Sequence, residues 1–114
     1  MIKNKTKNKV LVNQKKMCKS EWCKAKGLMF SKKIKDKGLI FVFDKMRRAG
    51  LHMFFVFFPI DVLFLDENMV VVDMKEHFKP FMFYTPRKRV KYIIELPDST
   101  IKKTLTKVGD KIVI

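Results

Sequence analysis

Apolar residues fall in short runs along this chain, and one run alternates cleanly. In Val90-Lys91-Tyr92-Ile93-Ile94-Glu95-Leu96, Val90, Tyr92, Ile94 and Leu96 lie on one side of an extended backbone and Lys91, Ile93 and Glu95 on the other. This is the pattern of a half-buried strand, and it ends at Pro97. The run from His52 to Asp66 is longer and greasier. Phenylalanine and valine dominate it, and no polar stripe recurs every 3.6 residues, so it predicts two strands buried on both sides, at about 51–58 and 60–66. Pro59 marks a bulge or a change of direction between them, because proline cannot donate to a ladder. A membrane span is excluded here: only twelve uncharged residues, Ala49 to Ile60, precede Asp61, and a spanning helix needs about 20.

The remaining pattern is punctuated by caps and turns. Val10-Leu11-Val12 predicts a first strand, entered from a lysine- and asparagine-rich start that reads as a flexible basic tail over 1–8. Ser20 can cap a short helix, with Glu21 near its positive end and Gly27 as its stop. Leu39 to Phe43, bounded by Gly38 and Asp44, predicts a strand, and Asp66-Glu67-Asn68 a turn into another at about 69–74. Pro80 and Pro86 bracket Phe81 to Tyr84, which suits an edge strand or an apolar loop. Asp98-Ser99-Thr100 can cap one helical turn to about Thr104, and Val108-Gly109-Asp110-Lys111 turns the chain into a last strand, Ile112 to Ile114. About seven short strands with one or two short helices make a mainly β domain, a small sandwich or barrel.

With 114 residues, 47% of them hydrophobic, the chain forms one domain, 1–114, with a core of its own. Cys18 and Cys23 are five apart, which fits neither a redox C-x-x-C nor a zinc knuckle. They read as structural or incidental thiols. No apolar stretch after the basic start could serve as a secretory signal, so the expected setting is reducing and cytoplasmic. Charge raises a separate possibility. The net charge is +15, and residues 1–37 hold 13 lysines against Glu21 and Asp36. Such a region can associate weakly with nucleic acid through phosphates, with Lys15, Lys16, Lys32, Lys33 and Lys35 as the candidate contacts. Specific readout is not expected: 22 lysines stand against four arginines, and the aromatics sit in apolar runs rather than among the lysines.

Five segments carry a family resemblance. In order, they are Gly27-Leu28-Met29-Phe30, Gly38-Leu39-Ile40-Phe41-Val42-Phe43, Pro59-Ile60-Asp61 with Phe64-Leu65-Asp66, Glu95-Leu96-Pro97, and Val108-Gly109-Asp110. Together they resemble the uncharacterised family known as domain of unknown function 192, over nearly all of the chain from about residue 20. Many bacterial relatives have Trp-Met-Lys-Asn-Thr before a Pro-Leu-Asp. This chain has His52-Met53-Phe54-Phe55-Val56 there, as in the archaeal branch, and Pro97-Asp98-Ser99 where Pro-Ala-Gly is usual. The resemblance implies a small, mostly β, sandwich-like domain with no established activity.

Candidate chemistry is confined to a few polar groups. On a strand over 51–58, His52 shares a face with Phe54, Val56 and Phe58 and reads as a core or rim imidazole satisfied by a carbonyl, or as a ligand contact. Asp61 must pair, accept backbone amides freed around Pro59, or hold a proton. Glu95, on the polar face of its strand, reads as solvated or paired with a lysine across the sheet, and the family motif adds weight to it. His77 reads as exposed and without a partner. Three function classes follow. The first is a non-enzymatic ligand- or partner-binding module with a shallow site near His52 and Asp61. The second is nucleic-acid association through the lysine-rich third. The third is a metal-dependent or acid–base enzyme using His52, Asp61 and Glu95. No phosphate-cradling glycine loop, nucleophile elbow, zinc motif or dinucleotide fingerprint is present. No cofactor and no membrane partner are expected, and the chain reads as a monomer.

Overall fold

The alternating segment becomes the middle strand of the largest sheet in the computed structural model, which describes residues 1–29, 31–53 and 55–114 and all their side chains but those of Trp22 and Ala25. In chain order the elements are β1 (Ile2–Asn4), β2 (Lys9–Val12), β3 (Gln14–Cys18), α1 (Glu21–Lys26), β4 (Lys37–Arg47), β5 (Leu51–His52), β6 (Ile60–Leu65), β7 (Val71–Phe78), β8 (Phe83–Tyr84), β9 (Val90–Pro97), α2 (Thr100–Thr104) and β10 (Ile112–Val113). Five strands form a sheet in the order β3-β4-β9-β6-β7, parallel between β3 and β4 and antiparallel elsewhere. A second antiparallel sheet runs β10-β1-β2, and β5 pairs β8. The fold is mainly β, as the pattern predicts.

Both faces of the five-stranded sheet are covered. On one face Leu39, Phe41, Phe43, Val62, Phe64 and Ile93 pack with Leu28, Leu51, Met53, Val56, Phe58 and Phe78. On the other, Ile40, Leu63, Leu65, Ile94 and Leu96 pack against Ile2, Leu11, Val12 and Ile112 of the small sheet and Ile101 of α2. Every residue of β6 is therefore buried, which is why the sequence there is apolar without alternation. The small sheet approaches β4 so closely that a Cβ on Gly38 would stand 2.6 Å from Ile2 Cδ1.

Several expectations need correction. Of 51–58, only Leu51–His52 is a strand. Phe55 takes a positive φ of 57° and the Val56 amide turns back to the Met53 carbonyl at 3.3 Å, so the chain leaves the extended state at once. Met53, Val56 and Phe58 are buried, and the place of Phe54 on that face lies outside the described residues, as does Phe30 of the first family segment. The 1–8 segment contains β1, with Ile2 and Asn4 fully buried. Asn4 Nδ2 donates to Asp110 Oδ2 (2.9 Å) and Thr106 Oγ1 (3.0 Å), and Lys7 Nζ pairs with Asp110 at 2.9 Å. That buried polar cluster ties the start of the chain to its end. β3 carries no apolar alternation because it is a lysine-bearing edge strand, exposed at Gln14 through Met17.

The short helices follow their caps. Ser20 Oγ accepts the Cys23 amide at 3.1 Å, and the Gly27 amide closes α1 onto the Cys23 carbonyl at 2.8 Å with Gly27 at φ +49°. Cys18 and Cys23, expected as thiols, are joined in a disulfide. Cys18 ends β3 and Cys23 lies inside α1, so the two meet across the turn between strand and helix instead of on one helix. The cysteines thus lend no support to a reducing setting.

Candidate functional site

The site is built on β9. Glu95 lies opposite Leu39 of β4 and Val62 of β6 in the ladder, which puts its side chain on the face of Phe41, Phe64 and Ile93. That face is roofed by α1, the segment after it, and the 51–58 segment. Glu95 is consequently 3% exposed, neither solvated nor paired with a lysine as its alternation suggested. Burial pushes its carboxyl from 4.5 up to about 8. Its Oε1 is buried with no hydrogen-bond partner among the described residues.

A cavity of about 240 Å³ opens beside this carboxyl. Its walls are apolar, from Leu28, Phe41, Phe43, Leu51, Val56 and Ile93, and His52, half-buried on β5, is part of the lining. Lys24, Lys26, Arg47 and Glu21 line it as well, and all but the half-buried Lys24 are exposed. Lys24 Nζ lies 4.8 Å and Arg47 Cζ 4.4 Å from the Phe43 ring centroid, so two cations are held by one aromatic ring at the cavity's edge. Gly27 keeps the space open: a Cβ there would lie 3.3 Å from Phe41 Cζ and 3.8 Å from Glu95 Oε1.

Asp61 stands apart from this arrangement. It is opposite Leu96 in the ladder, on the other face of the sheet from Glu95. It is 1% exposed, and its oxygens accept the amides of His77 (3.0 Å) and Ile101 (2.8 Å). Those amides, rather than any freed around Pro59, are what it satisfies. By capping Ile101 it starts α2, where Ser99 makes no side-chain cap bond. Burial raises its pKa, the two amides oppose that rise, and the Asp98 charge adds to it. His52 and Glu95 thus share a cavity and Asp61 does not. Among the described residues no group of three His, Cys, Asp or Glu side chains could hold a metal ion. His77, expected without a partner, has Nδ1 3.0 Å from Asp98 Oδ1.

All five candidate nucleic-acid lysines are exposed. Lys16 and Lys32 join Lys26 and Lys37 around a second depression of about 210 Å³, which shares Lys26, Gly27 and Leu28 with the first. Lys15, Lys33 and Lys35 line neither. Sequence reasoning missed Lys24, Arg47, Phe41 and Phe43 as site residues. The readable traces of the cavity were His52, Glu95 and the helix stop at Gly27, all three of which line it.

Comparison with known proteins bears on this geometry. The family profile DUF192, described as Uncharacterized ACR, matches residues 2–114. A UPF0127 protein from Thermococcus sibiricus is 38% identical over 114 residues, spanning 98% of this chain and 73% of that protein. Another, from Pyrococcus horikoshii, is 37% identical over 112 residues, spanning 98% and 96%. Among solved structures, a proposed transcription regulator from Sinorhizobium meliloti superposes with a TM-score of 0.83 at 24% identity, covering 87% of this chain and 79% of that one. A protein of unknown function from Novosphingobium aromaticivorans gives 0.83 at 20% identity, covering 88% and 74%. At those identities the likeness concerns the fold alone.

Proposed function

The chain belongs to the DUF192 family, and we propose that it acts as a non-enzymatic module binding a small amphipathic ligand in the cavity beneath α1, with Glu95 at the floor and His52 in the wall. The supporting observation is the Glu95 Oε1 atom, buried without a partner among the described residues and beside an open cavity. A polar group buried and unpaired costs about 1–3 kcal/mol, and a ligand atom supplies the missing partner. With its pKa raised to about 8, the carboxyl is mostly protonated at neutral pH and donates, so it favours a carbonyl, ether or hydroxyl oxygen. The phenyl and aliphatic walls suit an apolar body, and Lys24, Lys26 and Arg47 suit an anionic group at the mouth. Small aryl or short-chain acids that carry a second oxygen meet all three requirements.

The test is to screen such acids by amide chemical shifts, alongside native mass spectrometry of the protein as purified. Perturbations confined to 27–28, 51–52 and 93–95, and lost in Glu95→Leu, are the expected outcome. If no acid moves those amides and nothing co-purifies, the reading fails.

The four lysines around the second depression support one further reading, weak association with polyanions. Retention on heparin should weaken steeply with salt and fall when Lys16, Lys26 and Lys32 are changed to Gln. Retention that ignores salt would count against it.

A further inference from the structure

Two segments, 55–57 and 81–83, carry five large apolar side chains into solvent. Phe55 is 47% exposed, Phe57 60%, Phe81 52%, Met82 54% and Phe83 65%. Three of them meet directly, the Phe81 ring lying edge to face with those of Phe55 and Phe57 at centroid distances of 6.3 and 5.7 Å, and Met82 and Phe83 follow Phe81 in the chain and line a neighbouring depression. Single exposed apolar residues are ordinary, but a contiguous patch of this kind marks a docking surface.

The patch is ordered from beneath. The Met53 amide donates to the Met82 carbonyl and the Phe81 amide to the Met53 carbonyl, both at 2.8 Å, while Val56 and Met82 donate within their own turns at 3.3 Å. Pairing of β5 with β8 clamps the two segments together. Four backbone donors of these loops are therefore already used, which lets the tips leave water without stranding them. The surroundings are cationic. Lys75 and Lys79 flank Met82 and Phe83 around a shallow depression. The stretch 74–90 holds five lysines and arginines against Glu76, and 49–59 holds no charged residue.

We infer that this patch docks the protein peripherally on an anionic lipid surface, with Phe57, Phe81 and Phe83 at the headgroup boundary and Lys75 and Lys79 against the phosphates. Apolar aromatics on loop tips with basic residues behind them are what such an interface takes up. A second copy is a poor occupant, since each chain carries +15 and the flanking lysines would face one another. An acidic protein is disfavoured because phenylalanines and a methionine, with four of the loop amides already paired, leave little polar pattern to select one partner.

Co-sedimentation with vesicles tests the inference, comparing pure phosphatidylcholine with phosphatidylcholine containing roughly one-third phosphatidylglycerol, at about 50 and about 300 mM salt. The full chain is compared with Phe57→Ser/Phe83→Ser and with Lys32→Gln/Lys33→Gln, all three having similar unfolding midpoints. The expected result is binding to the anionic vesicles that drops roughly tenfold in the phenylalanine variant, and less than about twofold in the lysine variant at the higher salt. Unchanged binding by the phenylalanine variant would overturn the inference and assign the attraction to bulk charge. It would also be overturned if the wild-type chain ignored anionic vesicles, or if it self-associated or captured an acidic protein through Phe57 and Phe83 instead.

Discussion

Glu95→Gln is the substitution that isolates the buried carboxyl. In the folded protein this group titrates at about 8, against an ordinary value of 4.5. Between those values the folded state holds a proton that the unfolded state has released, so stability must fall as pH rises. The favourable contribution is complete below about pH 4.5 and is lost as pH rises through about 8. At about 1.4 kcal/mol per pH unit, the window amounts to about 5 kcal/mol at most, and to about 2–3 kcal/mol if water entering the cavity eases the charge. Glutamine has the same shape and no proton to lose. Urea unfolding of both proteins at pH 5, 7 and 9 gives a difference from which other titrations cancel. That cancellation is needed because Asp61 is also raised, while hydrogen bonds hold Asp73 and Asp110 low against the effect of burial. Relative to wild type, Glu95→Gln should gain about 2–4 kcal/mol between pH 5 and pH 9. A difference flat to within about 0.5 kcal/mol would mean that the carboxyl is solvated or ionised in the fold, and the donor role assigned to it would fall.

Three further outcomes are expected. Asp61→Asn turns an amide group toward one of the two backbone donors it now satisfies, and should cost about 1–3 kcal/mol in chemical denaturation while leaving the amide shifts at His52 and Gly27 unmoved. Gly38→Ala drives a methyl against Ile2, Val12 and Leu96, an overpacking worth about 1–3 kcal/mol that a thermal melt will register. Reducing the Cys18–Cys23 disulfide opens a loop with a sequence separation of 5. It should lower stability by about 2 kcal/mol and broaden the amide signals of Lys24 to Gly27. Identical melts with and without reductant would contradict that tether.

The elements with local punctuation were legible. Ser20, Gly27 and Pro97 each set a boundary through an effect that acts over three or four residues, and α1 and β9 begin or end where those residues stand. Elements held only by distant partners were hidden. β1 depends on Asn4 reaching Thr106 and Asp110 near the other end of the chain, and β3 on a parallel ladder with β4. Neither leaves an apolar rhythm. The greasy 53–58 stretch misled for the opposite reason: its composition favours a strand, but alternate burial of Met53, Val56 and Phe58 with exposure of Phe55 and Phe57 serves a roof over the core.

The site was half legible, and the reason is geometric. Period-two alternation assigns Glu95 to a face without saying what lies above that face. In a sheet with one solvated side, the face opposite Tyr92, Ile94 and Leu96 would have been wet, and Glu95 an ordinary surface acid; Val90, expected with those three, instead packs in the cluster of Phe41 and Ile93, next to an irregularity in the ladder with β4. Here α1 and the 51–58 segment cover it, so the same alternation buries a carboxyl. Asp61 and Glu95 occupy neighbouring rungs of one ladder, Asp61 opposite Leu96 and Glu95 opposite Val62, which places them on opposite faces despite their closeness in register. One is satisfied by two amides and belongs to the architecture of α2. The other has an oxygen without a partner among the described residues, beside a cavity. The two amides account for the first carboxylate, whereas the second is a cost to the fold at the centre of the sheet, one that the proposed ligand would offset.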